Sequence, residues 1–266
     1  MRDWNIYLDV DNDTMSDYAT LAIDGRYATL TPKDDFRRII LAGLPKSASL
    51  YLETLIATTF NLHRHQIGYD HRGGTVYYPR VLAMPLIQRD MLAHCHADAT
   101  RLLPMIRPLG LKVIALTRDL FDVIVSRRDM LLKDKRVEGV TDRALAHFRE
   151  LEEREQYDFV MDVFLAEYVA FIASWWEEAQ AGSEDVLHIT FEEMMTDRKA
   201  LMQRLGRELD LPFDDTVYEI ASGTFQRVNF NKGVAGRGAA LSAAQRQRIH
   251  DAASRYGLPR EAYERS

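Results

Sequence analysis

The feature that most constrains the fold is a recurring unit: a short, mostly apolar run that ends in a loop and passes directly into a helical pattern. FRRIILAG (Phe36 to Gly43) ends at Leu44-Pro45, and SLYLETLIATTF follows with Leu52, Leu55, Ile56 and Thr59 at helical spacing. LKVIALT (Leu111 to Thr117) precedes a helical stretch from about Leu120 to Lys133, and VLHIT (Val186 to Thr190) precedes one from about Glu192 to Leu209. A long amphipathic helix is expected between them, from about Tyr157 to Ala181, with apolar residues at 160, 163, 164, 168, 171, 172, 175 and 176. Strands without polar alternation must be covered on both faces, and interleaved helices supply that cover. The expected fold is therefore a single α/β domain, a parallel β-sheet flanked by helices.

The first residues stand apart from this pattern. YATLAI and RYATL flank Asp24-Gly25, a pair suited to a type I′ turn, so residues 1–35 read as an N-terminal hairpin extension and 36–266 as the main domain. With 47% hydrophobic and 28% charged residues, the composition is that of a folded globular chain. A net charge of −6 offers no global attraction to nucleic acid or anionic membrane, so neither is expected as a partner. The single cysteine, Cys95, excludes an internal disulfide framework and suits a reducing compartment. MRDWNIYLDVDNDT lacks the apolar core of a signal peptide, and Phe159 to Trp176 is interrupted by Asp162 and Glu167. A soluble, cytoplasmic protein is expected.

The sharpest chemical signal is the first strand–loop–helix junction, Gly43-Leu44-Pro45-Lys46-Ser47-Ala48-Ser49-Leu50-Tyr51. Unsatisfied backbone N–H groups at a helix start, reinforced by the helix dipole, favour an anion there. Lys46 adds a full charge, and Ser47 and Ser49 add hydroxyl donors. No glycine precedes Lys46, so the loop is not of the G-x-x-x-x-G-K-[ST] type that wraps nucleoside triphosphates. An ordinary strand–helix turn with a surface lysine is the plainer alternative.

The segment IILAGLPKSASLYLETLI resembles the P-K-S-G-T-T-W loop of sulfotransferases that use 3′-phosphoadenosine 5′-phosphosulfate. The resemblance implies a loop around the 5′-phosphosulfate made by Lys46, Ser47, Ala48, Ser49 and Leu50. It further implies that Lys46 meets the bridging oxygen of the leaving phosphate and that Tyr51 packs on adenine. Ala48 replaces a glycine, and Ser49-Leu50 replace two threonines.

Two further segments follow in family order. KVIALTRDLFDVIVSRRDM resembles R-D-P-x-D-x-x-x-S, implying that Arg118 and Ser126, eight residues apart, hold the 3′-phosphate, with Leu120 where proline is usual. Arginine's planar fork suits a phosphate, and a helix-capping Arg–Asp pair is the structural alternative. GTFQRVNFNKGVAGRG resembles R-K-G-x-x-G-x-W, implying that Lys232 and Gly233 close over the same phosphate. Asn231 stands for the arginine and Gly238 for the tryptophan, and Arg237 is a candidate for the missing charge. Phe191 and Phe225 match adenine-contacting positions and are equally suited to core packing.

AHCHADATRLLP resembles the T-H-L-P segment that bears the family's catalytic histidine, which implies His96 as general base, with His94 as its competitor. The resemblance makes Lys46, His96 and Ser126 the catalytic set, with the phosphosulfate as donor co-substrate, a small-molecule acceptor bearing a hydroxyl or amine, and no metal. A metal site at His94-Cys95-His96 with His63 or His65 lacks a second cluster of matching spacing. A P-loop kinase and a nucleotide-binding module without catalysis are the competing functions. The acceptor walls are expected between Ile67 and Leu92 and between Phe148 and Phe159.

Overall fold

A computed structural model describes residues 36–67, 89–133, 140–225 and 235–265, with short backbone segments between residues 6 and 30 and between 69 and 86. The strands are β1 (Ile6–Tyr7), β2 (Ala19–Ile23), β3 (Arg26–Leu30), β4 (Arg38–Gly43), β5 (His63–Gln66), β6 (Tyr69–Asp70), β7 (Thr75–Val76), β8 (Met91–Cys95), β9 (Lys112–Thr117) and β10 (Val186–Thr190). The helices are α1 (Ser49–Thr59), α2 (Ala99–Ile106), α3 (Leu120–Lys133), α4 (Asp142–Glu150), α5 (Glu153–Gln180), α6 (Phe191–Thr196), α7 (Arg198–Glu208), α8 (Asp215–Phe225), α9 (Ala243–Arg255) and α10 (Arg260–Tyr263).

Five parallel strands form the central sheet in the order β10-β9-β4-β8-β5. All six residues of β4 are buried, which is why its sequence shows no alternation. Ile39, Leu41, Leu92, Ile114, Leu116 and Ile189 face one core with α1, α6, α7 and α8. Ile40, Ala42, Ala93, Val113 and Ala115 face the other with α2, α3 and α5. The loops after β4, β8, β9 and β10 therefore emerge together at the carboxyl edge of the sheet. The chain leaves β4 toward β8 and β5 on one side and later fills β9 and β10 on the other, the arrangement that opens a ligand crevice at this edge.

Near the N-terminus β2 and β3 pair antiparallel with Ile23 opposite Arg26, leaving two residues for the connection. Asp24 and Gly25 themselves lie outside the described residues.

Four sequence expectations need correction. The helix expected from Glu192 to Leu209 is two helices, because Asp197 (φ −147°, ψ 86°) leaves the helical region and accepts the Ala200 N–H at 2.9 Å to start α7. The long helix begins earlier, at Glu153, where Glu155 reaches back to the Glu152 N–H at 3.1 Å. Met91–Cys95, with no strand expected, is an inner strand of the sheet. Phe148 and Tyr157 are core residues, with the Phe159 ring 5.3 Å from that of Phe148, so this stretch builds no acceptor wall. By length and composition α5 could cross a membrane, but its Tyr168, Val169, Ile172 and Trp175 are buried in the core.

Candidate active site

The loop from β4 to α1 is fixed by its own backbone. Leu44 donates its N–H to Leu116 O at 2.8 Å, tying the loop to β9. The Ser47 N–H and hydroxyl both return to Leu44 O, at 3.1 and 2.6 Å. The buried Ser47 hydroxyl thus shapes the turn and is spent within it. Two non-glycine residues in the loop are left-handed, Lys46 at φ 72° and Ala48 at φ 62°, and Ala48 is the N-cap of α1. A side chain there costs roughly 1 kcal/mol relative to glycine, so the loop holds strain at its anion-facing turn. Gly43 is required for another reason: a Cβ on it would lie 2.5 Å from Ser49 Cβ. Leu50 projects outward, 56% exposed, whereas Ser49 and Tyr51 are buried.

Arg118 follows β9 and reaches this loop. Its guanidinium donates to Lys46 O at 2.9 Å and to Asp122 Oδ2 at 3.3 Å, and lies 4.0 Å from the centre of the Phe191 ring. Both partners of the Arg118–Asp122 pair are buried. Burial pulls the Arg118 pKa down, Asp122 opposes that fall, and the nearby charge of Arg237 adds to it. Phe191 has no exposed surface and supports Arg118. Ser126 is buried in the second turn of α3.

Asp122 also accepts the N–H groups of Gly236 (3.1 Å) and Gly238 (2.8 Å). Arg237, between them, pairs with Asp129. The glycine-rich segment is thereby docked on α3 beside Arg118, and a Cβ at Gly238 would come within 2.4 Å of Phe121 Cβ. Lys232 and Gly233 lie outside the described residues, as does the Phe225 side chain. Asp122 was missed in the sequence, although its i,i+4 spacing from Arg118 is the usual mark of such a pair.

His96 lies just beyond β8. Its Nδ1 is 2.6 Å from Gly43 O, and a carbonyl can only accept, so Nδ1 donates this bond. His94 lies on β8 with its ring 4.8 Å from that of His96, edge to face. Its Nε2 is buried without a hydrogen-bond partner among the described residues, and its Nδ1 is 3.9 Å from Glu53, which Arg64 grips through two 3.0 Å bonds. Burial lowers the His94 pKa to about 4 despite Glu53, so it is neutral and a weak base near neutral pH. The two rings meet because residues two apart on an extended segment lie on the same side.

Residues 36–232 match the family model described as the sulfotransferase domain. The chain belongs to the sulfotransferase family. No match is found among curated proteins. Similar solved structures include mouse sulfotransferase SULT7A1 complexed with PAP, at 16% identity and TM-score 0.63, covering 91% of this chain and 94% of that one. Retinol dehydratase in complex with androsterone and the inactive cofactor PAP aligns at 12% identity and TM-score 0.58, covering 90% and 89%. Sulfotransferase STF9 from Mycobacterium avium aligns at 10% and 0.53, covering 89% and 80%. These likenesses confirm the fold. Membership of this family makes the chain a sulfotransferase enzyme, and the kinase and non-catalytic alternatives are not favoured.

Two stability measurements test the site's construction. Ala48→Gly should raise the unfolding free energy by about 1 kcal/mol, read from the denaturant midpoint, because glycine adopts a φ of 62° without strain. His188, on β10 with Nε2 3.1 Å from Thr117 Oγ1, has its pKa pushed down to about 4 by burial and then by Arg265 and Arg204. Its folded pKa lies below the unfolded value of about 6.5, so the unfolded chain takes the proton first and stability falls as pH drops through that window. Burial raises the pKa of Asp119 and Glu192, which act in the opposite direction, so the comparison must be with a variant. Relative to its own stability at pH 7, His188→Gln should lose less than the parent by on the order of 2 kcal/mol at about pH 5.

Proposed function

We propose that the protein transfers the sulfuryl group of 3′-phosphoadenosine 5′-phosphosulfate to a hydroxyl or amine of a small-molecule acceptor, in the cytoplasm. The observation that carries the catalytic assignment is the 2.6 Å contact of His96 Nδ1 with Gly43 O. It supports a ring oriented by the backbone at the start of the loop, with Nδ1 as donor and Nε2 as the nitrogen assigned to proton transfer. His96 Nε2 accepts the acceptor's proton as its oxygen or nitrogen bonds to sulfur. The bond from sulfur to the bridging oxygen breaks, and adenosine 3′,5′-bisphosphate leaves.

Lys46 and the N–H groups of α1 stabilise the negative charge that grows on the leaving phosphate. Arg118 and Ser126 hold the 3′-phosphate, and Arg237, docked beside Arg118, supplies charge that Asn231 does not. Lys232 and Gly233 complete that enclosure in this reading, and Phe191 acts through Arg118, on whose guanidinium it packs. His94 is not the base, because its burial disfavours the protonated form. The buried Cys95 thiol, pushed up to about 12 by burial, suits a reducing compartment but requires none. The net charge of −6 favours neither nucleic acid nor an anionic membrane as partner.

His96→Ala should lower turnover by roughly 10² to 10⁴-fold while leaving calorimetric affinity for adenosine 3′,5′-bisphosphate nearly unchanged. Lys46→Ala should lower turnover by about 10²-fold or more, beyond any loss of nucleotide affinity. An active His96→Ala enzyme with an inactive His94→Ala enzyme would transfer the base role to His94. Equal affinity for AMP and the bisphosphate would remove the 3′-phosphate assignment.

A further inference from the structure

Arg198 is a charged side chain with no ion-pair partner among the described residues. It opens α7, where the helix dipole is positive and a cation is disfavoured. Its neighbours are satisfied: Asp197 caps the helix, and Lys199 pairs with Asp215 and Glu219. Arg198 has no such pair among the described residues, and its Nε is buried without a hydrogen-bond partner there. The guanidinium lies over the ring of Tyr51, with Cζ 5.1 Å from the ring centre. Tyr51 is in the first turn of α1, directly behind the phosphate loop, and is only 7% exposed. The ring therefore has almost no surface to offer a ligand, and what covers part of it is a planar cation.

We propose that Arg198 is a base-recognising residue of the donor site, with its guanidinium on Tyr51 forming the platform on which a purine rests. A guanidinium stacked on an aromatic ring keeps its opposite face for a second π system, and its edge N–H groups can donate to purine ring nitrogens. Tyr51 then acts one layer back, orienting the arginine. The phosphate loop and this platform are joined by a single helical turn, so a purine nucleotide is the ligand class that uses both. This inference rests on the reading of the Lys46 loop as the phosphate end of the donor site.

The test compares adenosine 3′,5′-bisphosphate with abasic 1-deoxyribose 3,5-bisphosphate by titration calorimetry. Arg198→Ala should weaken the adenosine compound about tenfold and leave the abasic compound unchanged, since only the base contact is lost. Arg198→Lys should not restore the loss, because an ammonium has no planar face. If the alanine variant fails to fold, Arg198→Met keeps an apolar stem over Tyr51 and is expected to behave in the same way. Unchanged affinity for the adenosine compound, or equal loss for both compounds, would overturn the role of Arg198. A wild-type chain that binds neither compound would remove the donor site itself, and this platform with it.

Discussion

The proposed donor site depends on one buried ion pair. Arg118 and Asp122 are both withdrawn from water, and between them they contact the loop after β4, the Phe191 ring after β10 and the glycine segment at 236–238. A buried pair of this kind adds little net stability over an apolar pair, but removing one partner leaves an uncompensated charge and is expensive. Its value lies in specificity of arrangement: four segments distant in sequence are held in one register by hydrogen bonds with defined directions. Replacing either member would loosen the phosphate loop and the glycine segment together.

A second constraint joins base to phosphate loop. Gly43 O is the partner of His96, and Gly43 is also where no side chain fits against Ser49. In the proposed roles, the base His96 and the loop of Lys46 therefore share one residue of β4. Any shift of the loop moves the imidazole with it, which keeps proton transfer and leaving-group stabilisation in step. The neighbouring His94 is chemically similar but differently placed, sunk beside Glu53 where a proton is unwelcome.

Much of this was legible in the sequence. The inner strands β4 and β9 appear as largely apolar runs because both faces are covered, and the loop residues are marked by their position after the first such run. The strand at Met91–Cys95 was not legible, since His94 within it and His96 just after it interrupt the apolar run that signals burial. Asp197 broke an expected helix because a side-chain cap overrides propensity locally. The adenine role of Tyr51 was implied by its matched position in the loop motif. Only the packing shows the ring covered by Arg198, from a helix that begins 147 residues later.

The hydrogen bonds from Gly236 and Gly238 to Asp122 span 114 and 116 residues of chain. Closing so long a loop carries an entropic cost that local contacts within the sheet and its helices do not share. The central sheet can therefore form on contacts of shorter range, while the pocket closes only when the distant glycine segment arrives. A nucleotide that bridges both sides of that closure binds the folded chain alone and raises its stability in proportion to the logarithm of its concentration. The donor thus serves the protein twice, as reactant and as the strut that completes its architecture.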